Sequence, residues 1–585
     1  MDCARLIEVA AGRRPADLLI RGARVVDVFG QRVTSGDVAL FEGYIVGISS
    51  CYEAKTVYDA AGRYLAPGFI DAHIHLESSA LLPAEFARAA APHGTALCVC
   101  DPHEIANVLG LQGILLMAEL SRSLPVDFRF SLPSCVPASP LETSGAELAA
   151  ADLAELAGEP WVAGLGEVMN FPGVVAADPG LLAKLEVVPG MPRDGHAPGL
   201  TGKALAAYLA CGISSDHECT TADEAEEKLS AGCHIMIREG STARNLAALA
   251  PLIRPALLPR LMLVSDDLGP DELLADGHLD RILRRARALG ADSLALLRLV
   301  TLNPALYFGL ARRGAVAPGY CADLCLLDDL EGFRVSATWK AGRLTSEGGE
   351  LLPDALAGAA AGDLKPENTM RLAPVTPEDF RVPHRAGKAR VIEIVPGQIV
   401  TGQGAEALPE RAGAASADPA RDILKLAVIE RHGRSGGGGR PDIDPNIGPN
   451  IGLGFVRGLG LARGAVASTV AHDSHNLIVA GSNDADMALA ANALRECGGG
   501  QVVVAEGKVL ARLALPVAGL LSLESAAAVA SGERALRQAA RELGCPLASP
   551  FMALSFLALP VIPALKLTDR GLVDVGRFEL VPLWL

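Results

Sequence analysis

The chain lacks the features that mark exported, membrane-spanning or nucleic-acid-binding proteins. Its twelve cysteines are scattered, with no CxxC pair and no short-domain spacing, which argues against a disulfide framework and fits reduced thiols in a cytosol. The opening MDCARLIEVAAGRRPADLLI puts Asp2 and Glu8 where a secretory signal needs basic residues followed by an apolar core, so no export is expected. The apolar stretch nearest to membrane length, Ser549 to Leu565 (SPFMALSFLALPVIPAL), is broken by Pro560 and Pro563 and reads as a buried segment. No run of Lys and Arg offsets a formal net charge of −16. Such a charge repels nucleic acid and anionic membranes, leaving a small molecule as the expected partner and the cytoplasm as the expected location.

What the chain has is length and apolar residues. Its 585 residues are half apolar and only 21% charged, enough for two or three compact domains. Asp17 to Ile48 alternates short β-branched runs with Gly-containing turns, as a small antiparallel sheet should. Ala322 to Thr345 (ADLCLLDDLEGFRVSATWKAGRLT) matches it and could complete the same sheet from the far side. Residues 1–62 and 311–360 therefore read as two parts of one split flanking β-sandwich domain. Between them, residues 63–310 alternate apolar strands with Ala/Leu-rich helical stretches, the pattern of βαβ units. The strand ends are APGFIDAHIH, ALCVCDPH, FRFSLPS, VAGLGEVMN, the approach to DGHAPG, GISSDHE, HIMIREG and LMLVSDD. Eight is the number a closed (β/α)8 TIM-like barrel requires, so the predicted fold class is α/β. After a Gly/Ala/Pro-rich connector, residues 369–585 carry strand-like runs such as ARVIEIV and QVVVAEGKVLARL and read as an additional C-terminal α/β domain. Two interruptions in it, GQGAEALPERAGAASADPA and GRSGGGGRPDIDPNIGPNIG, read as flexible loops, the second containing the tandem echo PNIGPNIG.

Chemistry-bearing residues close the apolar strands, at the barrel edge where active sites are built. His73 and His75 are two apart on a strand, so both imidazoles point to one side and can bind one metal. Further ligand types recur at later strand ends: Glu167, His196, His217 and Asp266. Glu167 to His196 is 29 residues and His196 to His217 is 21, one βα unit each. His217 to Asp266 is 49, about two units, and His75 to Glu167 is 92, about three. These steps put ligands on strands one, four, five, six and eight, facing one mouth. Histidines plus carboxylates suit borderline or hard divalent ions, in sufficient number for two metals sharing a bridging carboxylate, for which Glu167 is the natural choice. No thiol joins the set, so a zinc deaminase site of the HxE…PCxxC type is not on offer.

PGFIDAHIH, the later strand-end His and Asp residues and the split flanking sheet resemble the amidohydrolase superfamily over roughly residues 15–350. Within that span PGFIDAHIHLESS, DPHEIANV, GLGEVMNFPGV, DGHAPGL and DHECT look like the adenine deaminase family. AHDSHNLIVAG and NIGLGFVRGLGL resemble that family's additional domain. The resemblance implies a binuclear divalent centre, with Mn²⁺ or Fe²⁺ expected and Zn²⁺ the alternative. By it His73 and His75 bind the first metal, Glu167 bridges, and His196 and His217 bind the second. Asp266 touches metal and moves protons. Many superfamily members bridge with a carboxylated lysine, whereas this chain has Glu167 at the equivalent strand end. LEVVPGMPRDGHAPG departs from the pattern, because Pro189 and Pro192 leave little room for a regular fifth strand.

The implied reaction converts adenine to hypoxanthine and ammonia in purine salvage. Two divalent cations lower the pKa of a shared water toward neutrality, adenine C6 is the electrophile, and Asp266 carries the proton to the departing amine or a ring nitrogen. Glu77 joins Asp266 as a catalytic candidate, with His103, Arg238 and Glu239 as substrate-binding candidates. The competing readings are a rim ion pair for Arg238 and Glu239 and a helix cap for His103. His472, Asp473, His475 and Asn476, in AHDSHN, either reach the barrel mouth or bind an ion, or form a hydrogen-bonded loop within their own domain. His234 reads as a packing residue, and His93, His278, His384 and His432 as surface or loop residues. The rival function is another hydrolase on the same scaffold, acting on a cyclic amide or a related aminopurine. A non-catalytic assembly protein would have no reason to keep all six candidate ligands. A homo-oligomer, a dimer or more, is expected on base rates.

Overall fold

A computed structural model of the chain describes residues 2–241, 243–359, 364–434 and 450–585. At its centre are eight parallel strands: β1 (Phe69–Ile74), β2 (Thr95–Cys100), β3 (Asp127–Leu132), β4 (Val162–Val168), β5 (Arg193–Gly195), β6 (Ser215–Asp216), β7 (His234–Arg238) and β8 (Leu261–Val264). β1 to β5 pair in order, as do β6 to β8. Two seams close the ring. Ser214 N donates to Arg193 O at 3.0 Å between β5 and β6. Between β8 and β1, Asp266 N donates to His73 O at 3.1 Å and His75 N to Asp266 O at 3.3 Å. The result is a curled parallel sheet whose strands are buried on both faces, as apolar runs such as TALCVC require.

Each expected strand end is present, and the fifth strand is as short as its prolines demand. β5 has three residues, and its register against β4 shifts between Arg193 and Gly195. Close approach accounts for two of the glycines here. A Cβ at Gly195 would lie 2.1 Å from Ser215 O, and one at Gly164 would lie 2.4 Å from Pro192 O. Outside the ring, the helix Leu279–Ala288 buries Leu279, Ile282, Leu283 and Ala286 along one face, the spacing of an amphipathic helix on a barrel wall.

The two flanking stretches join in one nine-stranded sheet, with Tyr64–Pro67 antiparallel to Leu324–Leu327 at the junction. The sheet is mixed rather than antiparallel: Ala16–Asp27 runs parallel to both Ala54–Asp59 and Tyr64–Pro67. Turn residues reveal hairpins, whereas nothing in the sequence marks these crossovers.

The C-terminal region centres on an eight-stranded sheet, antiparallel except for one parallel pair, Ala389–Ile394 with Ile451–Arg457. Residues alternate between its faces. Leu424, Leu426 and Val428 pack with Val529 and Leu536 of the helix Ala526–Glu542, while Ala427 and Ile429 pack with Met487 and Leu494 of the helix Asp484–Cys497. The stretch 402–420, expected as a flexible loop, instead supplies most of the edge strand Thr401–Glu406 and two short strands, Glu410–Arg411 and Ala414–Ala415. Small Gly and Ala residues there hid the strand pattern. Most of the second expected loop, with much of its PNIG echo, falls at 435–449, outside the described residues.

This region packs onto the barrel. Ser522 N donates to Ala80 O at 2.9 Å, Asn476 Nδ2 to Thr143 O at 2.8 Å, and Thr143 N to Asp569 Oδ1 at 2.9 Å. Leu76, Leu81 and Phe86 share one apolar cluster with Leu520, Leu521 and Val529. The Ser549–Leu565 segment is largely buried, containing the short helix Pro550–Ser555 with Phe551 and Leu554 inside. No helix among the described residues is long and apolar enough to cross a membrane. All twelve cysteines are free thiols.

Candidate metal centre

The barrel closes over a tight knot of imidazoles and carboxylates at the strand ends. His73 lies in β1 and His75 just after it, and their Nε2 atoms are 3.2 Å apart. Asp266, just beyond β8, brings Oδ1 to 3.6 Å from His73 Nε2 and 3.3 Å from His75 Nε2. Glu167, in β4, lies between two groups of rings. Its Oε1 is 3.3 Å from His75 Nε2, while its Oε2 is 2.5 Å from His196 Nδ1 and 3.2 Å from His217 Nε2. The rings of His73 and His217 stack at 4.1 Å. All six side chains are buried.

Ring tautomers show what fits between them. His73 Nδ1 is 2.8 Å from Asp194 Oδ2, an acceptor, so Nδ1 carries the hydrogen. His75 Nδ1 faces the Asp101 carbonyl at 3.3 Å, with the same consequence. Both Nε2 lone pairs, plus the Asp266 oxygen, therefore converge on one buried point, an arrangement suited to a cation. Around Glu167, His196 Nε2 and His217 Nδ1 have no hydrogen-bond partner among the described residues. His73, His75 and Asp266 form one group able to hold an ion, and Glu167, His196 and His217 another.

Charge follows the same geometry. Burial alone would raise the Glu167 carboxyl, but His196, His217 and His75 hold it well below the usual carboxylate range. Burial likewise opposes ionisation of Asp266, and Arg238 with His73 and His75 overcomes it, holding Asp266 well below its ordinary value. Arg238 Nη1 donates to Asp266 Oδ2 at 2.9 Å, and the guanidinium also grips Glu218, with Nη2 2.7 Å from Oε2.

A cavity opens above the knot, lined by His75, His103, Glu167, His196, His217, Arg238 and Asp266. Two sequence candidates stand away from it. The Oε1 atom of Glu77 accepts from Ile105 N at 3.2 Å. Glu239 is held by Arg285 Nη1 at 3.0 Å and by Leu246 N at 3.3 Å. His103 begins the helix His103–Leu109 without a side-chain cap bond, and its ring lies between Glu167 Oε1, 3.5 Å from Nδ1, and Asp473 Oδ1, 3.6 Å from Nε2.

Sequence reasoning passed over several residues here. Asp194 lies two residues before His196 in DGH and Glu218 directly follows His217 in DHE, and that closeness to strand-end ligands was the available signal. Ile399, Phe556, Leu559 and Ile562 also line the cavity, and no local pattern links them to a barrel so distant in sequence. Two of the histidines expected as surface or loop residues lie in loops that are buried. His278 is 2.9 Å from Asp71 Oδ2 through Nε2 and 2.7 Å from Thr95 Oγ1 through Nδ1. His432 Nε2 is 2.8 Å from Ser474 O. Their polar sequence neighbours suggested solvent, but Asp280 and Arg281 beside the first, and Glu430 and Arg431 beside the second, are buried with them. His234 is half-buried against Tyr307, away from the cavity.

Residues 64–345 match the amidohydrolase family and residues 398–579 match the adenine deaminase C-terminal domain. Adenine deaminase 2 of Carboxydothermus hydrogenoformans is 46% identical over 579 residues, covering 99% of each chain. This chain belongs to the adenine deaminase family. Within that family, the adenine deaminase of Cereibacter sphaeroides is 48% identical over 579 residues, 99% of each chain. That of Syntrophobacter fumaroxidans is 48% identical over 583 residues, 99% of this chain and 98% of its own. The similarity runs through barrel and C-terminal sheet alike.

Proposed function

We propose that the protein is an adenine deaminase, a metal-dependent hydrolase that cleaves the C–N bond at adenine C6 and releases hypoxanthine and ammonia in purine salvage. The observation that carries this reading is near-half identity to adenine deaminases along the whole chain, because barrel motifs alone fix metal chemistry more firmly than substrate. Residues 63–310 act as the barrel, 1–62 with 311–360 as the split β domain, and 369–585 as the C-terminal domain, in a cytoplasmic homo-oligomer of two or more chains.

His73, His75 and Asp266 would hold one ion and His196 and His217 a second, with Glu167 placed to serve either. Bound Mn²⁺ or Fe²⁺, with Zn²⁺ as the alternative, supplies Lewis-acid activation of water at neutral pH. The chain's own groups do the rest. Asp194 and the Asp101 carbonyl fix the His73 and His75 tautomers. Arg238 holds Asp266 Oδ2 and keeps the carboxylate ionised, so that Asp266 can take a proton from the attacking water and hand it to the departing amine, a contribution of about 10²- to 10⁴-fold. His103 and Arg238 face the purine. Glu77 supports the start of the His103 helix through Ile105 N, and Glu239 anchors Arg285.

The test is ammonia release from adenine by protein stripped of metal and reconstituted with Mn²⁺, Fe²⁺ or Zn²⁺, with Glu167→Gln alongside. Metal-dependent hypoxanthine formation that the variant loses is the expected result. No turnover of adenine by the fully loaded protein would transfer the reading to a related aminopurine or cyclic amide.

A further inference from the structure

Across the cavity from the ligand knot stands a second set of buried polar atoms, contributed by the C-terminal region and unused by the mechanism above. His472 and Asp473 both line the cavity and both are at least 95% buried. His472 Nε2 and Asp473 Oδ2 have no hydrogen-bond partner among the described residues. Buried polar atoms left unmatched are destabilising, so these two call for a partner that the described residues do not supply.

The group is fixed from behind. His472 N donates to Ser555 Oγ at 3.3 Å, and its ring stacks on Phe556 at 4.7 Å, with Nδ1 3.5 Å from Glu104 Oε1. Glu104, His472 and His475 lie close enough to hold an ion, but the hydrogen bonding argues otherwise. His475 Nδ1 accepts from Ala471 N at 3.2 Å, so in the neutral ring Nε2 carries the hydrogen and offers no lone pair. That hydrogen faces Glu104 Oε2, 3.7 Å away. Glu104 and His475 are therefore electrostatic support packed behind His472.

Resting on the adenine deaminase reading, we infer that Asp473, with His472 packed beside it, recognises the N9–H edge of the free purine base, and that this contact rejects purines substituted at N9. A carboxylate only accepts, so the orphan oxygen of Asp473 selects a ring N–H. The ring of His103 fits between Glu167 and Asp473 with a contact at each end, so the two carboxylates are separated by one imidazole and two contacts. His103 fills the direct line between them, and the cavity beside it, lined by both carboxylates, lets a base whose C6 meets the metal ligands turn its N9 edge toward Asp473. Phe556, Leu559 and Ile562 supply an apolar wall for the flat face of the base. A glycosyl or methyl group at N9 removes the hydrogen and pushes carbon against a buried carboxylate.

The test uses the metal-loaded full chain and calorimetric binding of hypoxanthine and 9-methylhypoxanthine, neither of which turns over. Wild type is expected to bind hypoxanthine on the order of 10- to 100-fold more tightly, the value of a hydrogen bond to a charged group. Asp473→Asn, nearly isosteric, should lose that margin, and His472→Gln part of it. In adenine kinetics KM should rise by a similar factor while kcat falls far less. Unchanged discrimination in an Asp473→Asn protein of normal metal content and melting temperature overturns the inference while leaving the deaminase reading intact. Loaded wild type that neither deaminates adenine nor binds hypoxanthine overturns both.

Discussion

Asp266 sits at a φ of +55°, a left-handed conformation that a non-glycine residue keeps only where its surroundings hold it. Here backbone bonds to His73 and His75 hold the main chain and Arg238 holds the side chain. Asp266→Asn keeps the shape and removes the proton acceptor. The expected outcome is a kcat loss of about 10²- to 10⁴-fold with hypoxanthine affinity changed far less; parallel losses in both would mean that Asp266 serves binding rather than proton transfer. At this scale the sequence was most legible where function sits beside a strand. His73, His75, Glu167, His196, His217 and Asp266 each end an apolar run, and the fold brings all six within one knot. It was least legible for His278 and His432, whose polar surroundings look solvated in one dimension while the rings are buried in three.

The strands themselves are held to narrow tolerances. β5 reaches β6 only because Gly195 has no Cβ, which would otherwise meet Ser215 O at 2.1 Å. Gly195→Ala must push that seam apart next to His196, at a cost of about 1–3 kcal/mol. A lower melting temperature together with reduced bound metal per chain is expected, whereas Gly158→Ala, with nothing within 4 Å of its Cβ, should change neither. Equal behaviour of the two variants would show that the seam yields freely. Period and turn chemistry carried the barrel, since eight apolar runs with polar ends have few other solutions. They did not carry the parallel pairings of the flanking sheet or the edge strand in 402–420, where pairing depends on long-range partners and small residues.

The cavity belongs to the whole molecule, with its floor from the barrel and its roof from residues 399 and 556–562. The roof depends on one buried lysine. Lys566 donates to Ile399 O and to Phe556 O, both at 2.9 Å, and burial pushes its pKa from 10.5 down to about 7. In the unfolded chain the amine keeps its proton up to about its ordinary value, so between pH 7 and 10.5 the unfolded state holds a proton that the folded state has lost. Stability must then rise with pH across that window, by about 1 kcal/mol per unit. The cost of burying the cation is fully present below pH 7. Lys566→Met removes that cost along with the pH dependence, so the variant should melt above wild type at pH 6.5 and lose the advantage progressively toward pH 9.5. A difference in melting temperature that stays flat over that range would mean that Lys566 remains protonated in the folded protein, held by its two carbonyls despite its burial.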